Sequence, residues 1–133
     1  MLDQKRQTLT LIHNYSIYTG GAHPNYFTQI SNIDLATGDT LSYNSLFGKN
    51  KELLDAVKKR FIENEEKVMG EAGYEFKMEN YGFDEGFKLP QAMGITHAGI
   101  RCVYVPYEVA SYAHGPIDFV VPYADIPSFK IRE

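Results

Sequence analysis

The segment PYEVASYAHG, residues 106–115, combines the residue types that can do chemistry: the carboxylate of Glu108, the imidazole of His114 and the phenol rings of Tyr107 and Tyr112. A carboxylate and an imidazole that converge on a cleft can act as a general acid and base. Tyrosine rings beside polar groups can instead bind a sugar or a protein, because a rigid ring offers contact area at little entropic cost. The segment can also serve only to turn the chain between two strands.

Catalysis on glycans is the first alternative. Glycoside hydrolysis needs two carboxylates about 5–9.5 Å apart across a cleft, and the sequence offers several candidates without a spacing that singles out a pair: Glu108, Asp118, Asp84, Glu85 and Asp34. The nucleophile and metalloprotease signatures G-x-S-x-G and H-E-x-x-H do not occur in the sequence. We therefore predict no catalytic residue, and a glycan-active hydrolase or deacetylase, or its accessory module, is the alternative function.

A metal site and a reactive cysteine are the other chemical options. His23, His97 and His114, with Glu108, are ligand types that zinc accepts, but they are scattered and lack the short paired spacing of metal motifs. The single cysteine, Cys102, lies in the apolar run IRCVYV, which is typical of a small buried residue rather than a nucleophile. The sequence predicts neither a metal site nor a cofactor.

Length and charge limit the function further. The chain has 133 residues, the length of one domain, and a formal net charge of −4, which argues against nucleic acid as a partner. No apolar run approaches the ~18 residues of a membrane span, and no hydrophobic signal-peptide core follows Met1. Because the strand pattern starts almost at once, we expect a fragment or processed form of a longer protein.

The first third of the chain predicts strands. Residues 8–18 alternate, with Leu9, Leu11, Tyr15 and Ile17 on one face, so this face is expected to be buried. His13 falls on the same face and is expected to be a hydrogen-bonded core residue. A second strand over 26–35, a glycine turn at 36–39 and a short return strand at 40–43 are predicted to follow.

The rest of the chain predicts one helix and then more strands. Asn50 is a suitable helix N-cap and Gly70 a suitable stop, and between them the buried stripe is predicted to contain Leu53, Leu54, Val57, Phe61 and Val68. After an irregular stretch over 71–90, a hairpin over 95–105 and an interior strand over 117–123 are predicted. The fold class is therefore α+β, a mostly antiparallel sheet with one long helix packed on one face.

Two proline-containing segments, VPYEVA at 105–110 and VPYADI at 121–126, echo each other. Proline lacks the N–H that a sheet ladder needs, so Pro106 and Pro122 are each predicted to end a strand. Within the first segment, Glu108 is predicted to accept backbone N–H groups of the turn or to pair with a cation.

Four motifs in order carry a resemblance to a known family: GGAH at 20–23, IDL-x-TG-x-x-L at 33–41, PYE-[VI]-A-x-Y-A-x-G at 106–115 and the later VPYADI. From about Tyr18 to Ile126 the chain resembles the C-terminal domain family of RsiV, the lysozyme-responsive anti-sigma-V factor, whose domain also occurs beside peptidoglycan deacetylases. The resemblance implies that residues 1–133 form a single RsiV C-terminal-like domain. It also implies a cell-envelope location, periplasmic or extracellular, and a non-catalytic domain that recognises a protein or a cell-wall glycan.

Together these considerations predict a binding surface around the proline-flanked segment. The predicted binding residues are aromatic rings and neighbouring polar groups: Tyr104, Tyr107, Glu108, Tyr112, His114, Tyr123 and His23. The alternative is that these tyrosines anchor the turn through hydroxyl bonds to backbone, and that His23 orders its own loop.

Overall fold

The computed structural model describes residues 1–132. Along that stretch the chain forms strands β1 (Leu2–Asp3), β2 (Thr8–Ile17) and β3 (Asn25–Asp34), helices α1 (Tyr43–Phe47) and α2 (Lys51–Glu71), and strands β4 (Ala92–Ile95), β5 (Gly99–Tyr104) and β6 (Ile117–Pro122). Short 3₁₀ turns cover Met78–Asn80, Tyr112–His114 and Tyr123–Asp125. Neither helix has the length and apolarity needed to span a bilayer, as judged over the described residues.

The strands form two antiparallel sheets of three strands each, in the orders β1-β2-β3 and β4-β5-β6. The α+β class predicted from the sequence is confirmed, but the expected single sheet is two. In the first sheet, β2 and β3 pair along their full length, from Thr8 opposite Asp34 to Ile17 opposite Asn25. In the second, β5 is central and β6 is an edge strand, so the prediction of an interior strand at 117–123 was wrong.

The half of β2 that begins at Thr8 buries its polar face, the reverse of the prediction. Thr8 and Thr10 are buried, whereas Leu11 is 51% and Ile17 47% exposed. His13 lies on that exposed face, so the expectation of a core histidine was wrong. The alternation of the strand was predicted correctly, but alternation alone does not determine which face another element covers.

A polar junction explains why the hydroxyl face is buried. The side-chain amide of Asn32 donates from Nδ2 to the carbonyl of Met93 (3.0 Å) and accepts at Oδ1 from the N–H of Ile95 (2.9 Å). Thr10 Oγ1 donates to the carbonyl of Ile95 (2.8 Å) and lies 3.1 Å from Asn32 Oδ1. Side chains of the first sheet thus satisfy the backbone groups on the edge of β4, where a neighbouring strand would otherwise pair.

The two sheets approach closely at this junction because a glycine lies there. A Cβ on Gly94 would stand 2.9 Å from methyl carbons of both Ile30 and Thr10, which is closer than carbon atoms pack. The close approach brings the β2–β3 hairpin against the second sheet.

Helix α2 packs on the second sheet and closes the main core. Its N-cap is Asn50, as predicted, whose Oδ1 accepts from the N–H of Leu53 at 3.0 Å. Phe61 lies at the centre of the core, with ring-centroid distances of 5.2–6.3 Å and edge-on angles of 65–82° to five rings: Tyr81, Phe83, Phe87, Tyr104 and Phe119. Such edge-to-face pairs stabilise a core beyond the area they bury.

Three local predictions need correction. The return strand at 40–43 is a single bridge between Thr40 and Ile33, after which Ser42 caps helix α1. The helix continues through Gly70 to Glu71, and Val68, expected in the buried stripe, is 42% exposed.

Replacing Asn32 tests the junction. We expect Asn32→Ala to lower the free energy of unfolding by about 2–4 kcal/mol, because the buried carbonyl of Met93 and N–H of Ile95 both lose their partner. Chemical denaturation monitored by circular dichroism measures the change. The matched control is Asn14→Ala, at an exposed asparagine on β2, for which we expect less than about 0.5 kcal/mol. Equal, small effects of the two variants would show that the junction is not what joins the sheets.

Candidate functional site

An open groove of about 630 Å³ lies between the outer half of the β2–β3 hairpin and the segment that links β5 to β6. We call residues 105–116 the corner and this opening the groove. Its lining is aromatic, proline and short polar side chains: Asn14, Tyr15, Ser16, Tyr26, Phe27, Thr28, Pro106, Tyr112, Gly115 and Pro116. One wall therefore comes from the hairpin and the other from the proline-flanked segment that the sequence singled out.

Aromatic rings from the hairpin and the corner meet beside the groove. Tyr112 stacks on His23 with ring centroids 3.7 Å apart and planes 8° from parallel. The ring of Tyr107 lies 5.7 Å from Tyr112, and that of Tyr26 lies 6.3 Å from it on the hairpin side. Tyr107 is 58% and Tyr26 46% exposed, so a ligand can reach both. We call Tyr107, His23, Tyr112 and Tyr26 the aromatic cluster.

His23 is fixed by hydrogen bonds as well as by stacking. Its Nδ1 lies 3.0 Å from the carbonyl oxygen of Pro24, which can only accept, so Nδ1 carries the proton of this bond. In the neutral ring Nε2 is then an acceptor for the hydroxyl of Tyr107, 3.3 Å away. The histidine orders its own loop, as the alternative interpretation held, and also joins that loop to the corner.

Tyr107 has a strained backbone. Its φ of 72° lies in the left-handed region, which is sparsely populated by residues with a bulky side chain. A residue held there costs on the order of 1–3 kcal/mol and persists only where its surroundings fix it, often at a ligand clamp.

Glu108 supplies the constraint that fixes this turn. Its Oε1 accepts from the N–H of Val105 and its Oε2 from the N–H of Gln91, both at 3.0 Å. The prediction that Glu108 accepts backbone N–H groups is therefore confirmed. With both oxygens bonded to backbone, the carboxylate caps the ends of β4 and β5, and it borders a separate cavity of about 100 Å³ rather than the groove.

Two of the predicted binding tyrosines lie away from the groove. Tyr104 is fully buried in the core, where its hydroxyl donates to the carbonyl of Lys88 at 2.5 Å. Tyr123 donates to the carbonyl of Thr96 at 2.6 Å, and the guanidinium of Arg6 lies 3.8 Å from its ring centroid. Both hydroxyls thus bond to backbone, as the alternative interpretation of these tyrosines held. Although both residues lie close to the corner in the sequence, neither lies at the groove.

His114 points away from the groove to a buried carboxylate. Its Nε2 lies 2.6 Å from Oε1 of Glu65, a residue of α2 with only 1% of its side chain exposed. The hydroxyl of Tyr81 donates to the same oxygen at 2.8 Å, and Asn64 Nδ2 donates to Oε2 at 2.9 Å. Burial, and then the hydrogen bond to Glu65, raise the pKa of Tyr81 above its ordinary value. These contacts attach the corner to the helix.

Glu65 is a residue that the sequence reasoning missed, although a signal was present. It lies at the fourth position of the series Leu53, Val57, Phe61, Glu65, whose steps of four residues follow one helix face, and all four are buried. A charged residue in register with a buried stripe indicates a buried polar contact. The hairpin residues of the groove, such as Asn14 and Thr28, carried no comparable signal.

The other chemical candidates are separated or already bonded. Asp118 pairs with Arg101 at 2.7 Å, and Asp34 pairs with Arg132, which holds the pKa of that carboxyl below its usual range. Within residues 1–132, no three histidine, cysteine or acidic side chains are placed to hold a metal ion. Cys102 is fully buried, as predicted, and burial raises the pKa of its thiol.

Comparisons with known proteins identify relatives without a known function. A family model described as "Protein of unknown function (DUF3298)" matches residues 44–124. A solved structure of a DUF3298 family member from Bacteroides fragilis superposes with a TM-score of 0.66 at 26% identity, over 92% of this chain and 48% of that one. A Pseudomonas aeruginosa DUF3298 protein gives a TM-score of 0.66 at 19% identity, over 91% and 54%.

The chain thus spans about half the length of these two solved relatives. No curated protein matches it. The corner lies inside the family match, whereas the hairpin residues of the groove lie before it, at positions below 44.

Substitutions at Glu65 test how the corner is attached. We expect Glu65→Ala to lower the free energy of unfolding by about 3–5 kcal/mol, because it removes a buried carboxylate and leaves the polar groups of His114, Tyr81 and Asn64 without their partner. Glu65→Gln keeps an acceptor for Tyr81 and should cost less. The exposed neighbour Glu66→Ala is the control, and thermal and denaturant unfolding are the measurements. A Glu65→Ala protein as stable as the control would mean that the corner is attached elsewhere.

Proposed function

The chain belongs to the DUF3298 family of proteins of unknown function, and from that premise we propose that it is a non-catalytic binding domain of the bacterial cell envelope. In this proposal it resembles the C-terminal domain of RsiV, lies in the periplasm or outside the cell, and recognises a protein or a cell-wall glycan. The binding site is the groove together with the aromatic cluster.

The strain at Tyr107 is the observation that carries this proposal. A glycine at this position would hold a φ of 72° without strain, and an asparagine with little. The strain comes from the Cβ that glycine lacks, and Tyr107 contributes little to the core, because more than half of the residue is exposed. A costly conformation that keeps an aromatic ring at the surface is typical of a ligand site and is not expected of a residue selected for stability.

The origin of the cluster gives further support. Its rings come from two segments more than 80 residues apart, and the stacking of Tyr112 on His23 holds them together. The GGAH motif supplies His23, and the PYEVASYAHG segment supplies Tyr107 and Tyr112. Two of the four motifs on which the resemblance to the RsiV family rests therefore contribute to this surface. The envelope location rests on the same resemblance.

A glycan-active enzyme has less support. A hydrolase needs a pair of free carboxylates facing its substrate, and among residues 1–132 none of the groove's lining side chains is acidic. Glu108 is bonded to two backbone groups, and Glu65 is buried against His114 and Tyr81. No observation singles out another pair, so binding without catalysis is the function that we propose.

Replacing Tyr107 by glycine separates a binding role from a structural one. We expect Tyr107→Gly to leave the free energy of unfolding unchanged or higher, to within about 1 kcal/mol, because relief of strain offsets the added freedom of the unfolded chain. The same variant should bind lysozyme or soluble peptidoglycan fragments, whichever the unaltered protein binds, at least tenfold more weakly. Unfolding curves and calorimetric titration give the two readouts.

The control for this experiment is Tyr74→Ala, since Tyr74 is 68% exposed and lies just after helix α2, away from the groove. Its binding should equal that of the unaltered protein. A loss of more than about 2 kcal/mol of stability in Tyr107→Gly would make the ring a structural anchor. If neither lysozyme nor peptidoglycan fragments change the nuclear magnetic resonance signals of the tyrosine rings, the proposed binding function is wrong.

A further inference from the structure

We propose, on the basis of the binding function above, that the groove takes an uncharged chain of pyranose sugars. This narrows the ligand class from protein or glycan to neutral glycan. The inference rests on the charge, the alternation of flat and polar groups, and the shape of the lining.

Charge is the first argument. Although 23% of the chain's residues are Asp, Glu, Lys or Arg, none of these lines the groove within the described part of the chain. A phosphate, carboxylate or ammonium group on a ligand gains most from an opposite charge, and loses its hydration on entering a lining that lacks one. The groove therefore favours a ligand without ionised groups.

The arrangement of flat and polar groups is the second argument. A pyranose ring has apolar faces formed by C–H groups and a rim of hydroxyls, so it fits a site with aromatic faces and short polar side chains beside them. The groove offers the rings of Tyr112 and of Tyr26, which pairs with Ser16 across β2 and β3, as the first kind of group. Asn14, Ser16 and Thr28 are the second kind, and each can exchange hydrogen bonds with hydroxyls.

Two of these polar side chains, Asn14 and Thr28, are already oriented. Thr28 Oγ1 donates to Asn14 Oδ1 at 2.8 Å, and these residues face each other across β2 and β3. The Asn14 amide nitrogen makes no hydrogen bond to any of residues 1–132, so its two N–H groups are available to a ligand oxygen. A donor fixed in this way by a neighbour loses little entropy on binding.

Shape is the third argument. The volume of about 630 Å³ lies within the range of roughly 300–1,000 Å³ that is usual for small-ligand sites. A protein partner would need a broad contact surface in addition, because a stable protein interface buries about 800 Å² on each partner. The walls are a continuous ten-pair ladder on one side and the prolines Pro106 and Pro116 on the other, so the groove exists before the ligand arrives.

The test compares hexasaccharides that differ in charge. Cellohexaose and chitohexaose are neutral, the hexamer of glucosamine is cationic and the hexamer of galacturonic acid is anionic. We expect at least one neutral hexamer to bind in calorimetric titration, and both charged hexamers to bind at least fivefold more weakly than it. Tyr112→Ala should lower the affinity for the neutral hexamer at least tenfold, and Tyr74→Ala should leave that affinity unchanged.

A second variant covers the case in which loss of the Tyr112 ring disturbs the fold. Asn14→Ala removes an exposed side chain and should weaken binding at least threefold, with an unchanged melting temperature. If lysozyme binds at the aromatic cluster but no hexamer binds, the neutral-glycan inference is overturned and the binding function stands. If a charged hexamer binds as well as the neutral ones, the inference is also wrong. If neither lysozyme, peptidoglycan fragments nor hexamers bind, both fail.

Discussion

The structure depends on one side-chain amide at the edge of a strand. Asn32 donates to and accepts from the backbone of β4, at Met93 and Ile95, in the way that a neighbouring strand would. An open strand edge has unpaired N–H and carbonyl groups that must be satisfied once they are buried. Because Asn32 and Thr10 satisfy them, the first sheet attaches to the second by its polar face. That attachment sets the hairpin opposite the corner, and the groove is the space between them.

The other wall of the groove depends on two carboxylates with similar tasks. Glu108 binds the N–H groups of Val105 and Gln91 and so fixes the corner at its beginning. Glu65, buried in α2, binds His114 and fixes the corner near its end. Between these two attachments the backbone holds Tyr107 at a positive φ and presents Tyr112 to His23. Glu108, a catalytic candidate in the sequence, and Glu65 thus hold in place the segment that carries these aromatic side chains.

The sequence predicted the elements better than their assembly. The alternation over 8–18, the Asn50 cap and the two strand-ending prolines are local signals, and each corresponds to an observed element. The buried face of β2 could not be predicted, since a period of two residues identifies two faces but not the one that a distant strand covers. β6 looks interior in the sequence because its centre is apolar on both faces, but Val120 is 38% exposed and β6 pairs only with β5 among the described residues.

Only part of the candidate site could be predicted, because the rest depends on contacts between distant parts of the sequence. The corner residues Tyr107 and Tyr112 were found because they lie in one segment, and His23 because its motif belongs to the same resemblance. Tyr104 and Tyr123 lie in the same part of the sequence but occupy different environments, one in the core and one beside Arg6. The hairpin side of the groove, with Asn14 and its neighbours, exists only through the Asn32 junction, which is a contact between residues about 60 positions apart.

The most direct test of this account is the nuclear Overhauser contact between the ring protons of His23 and Tyr112, measured in the unaltered protein and in Asn32→Ala. If the amide junction sets the hairpin against the corner, the contact is strong in the unaltered protein and is lost in the variant. Contacts of Phe61 with its neighbouring rings should remain in both, which shows that the main core is still folded. A His23–Tyr112 contact of equal strength in the two proteins would contradict the account, because the groove would then form without the junction.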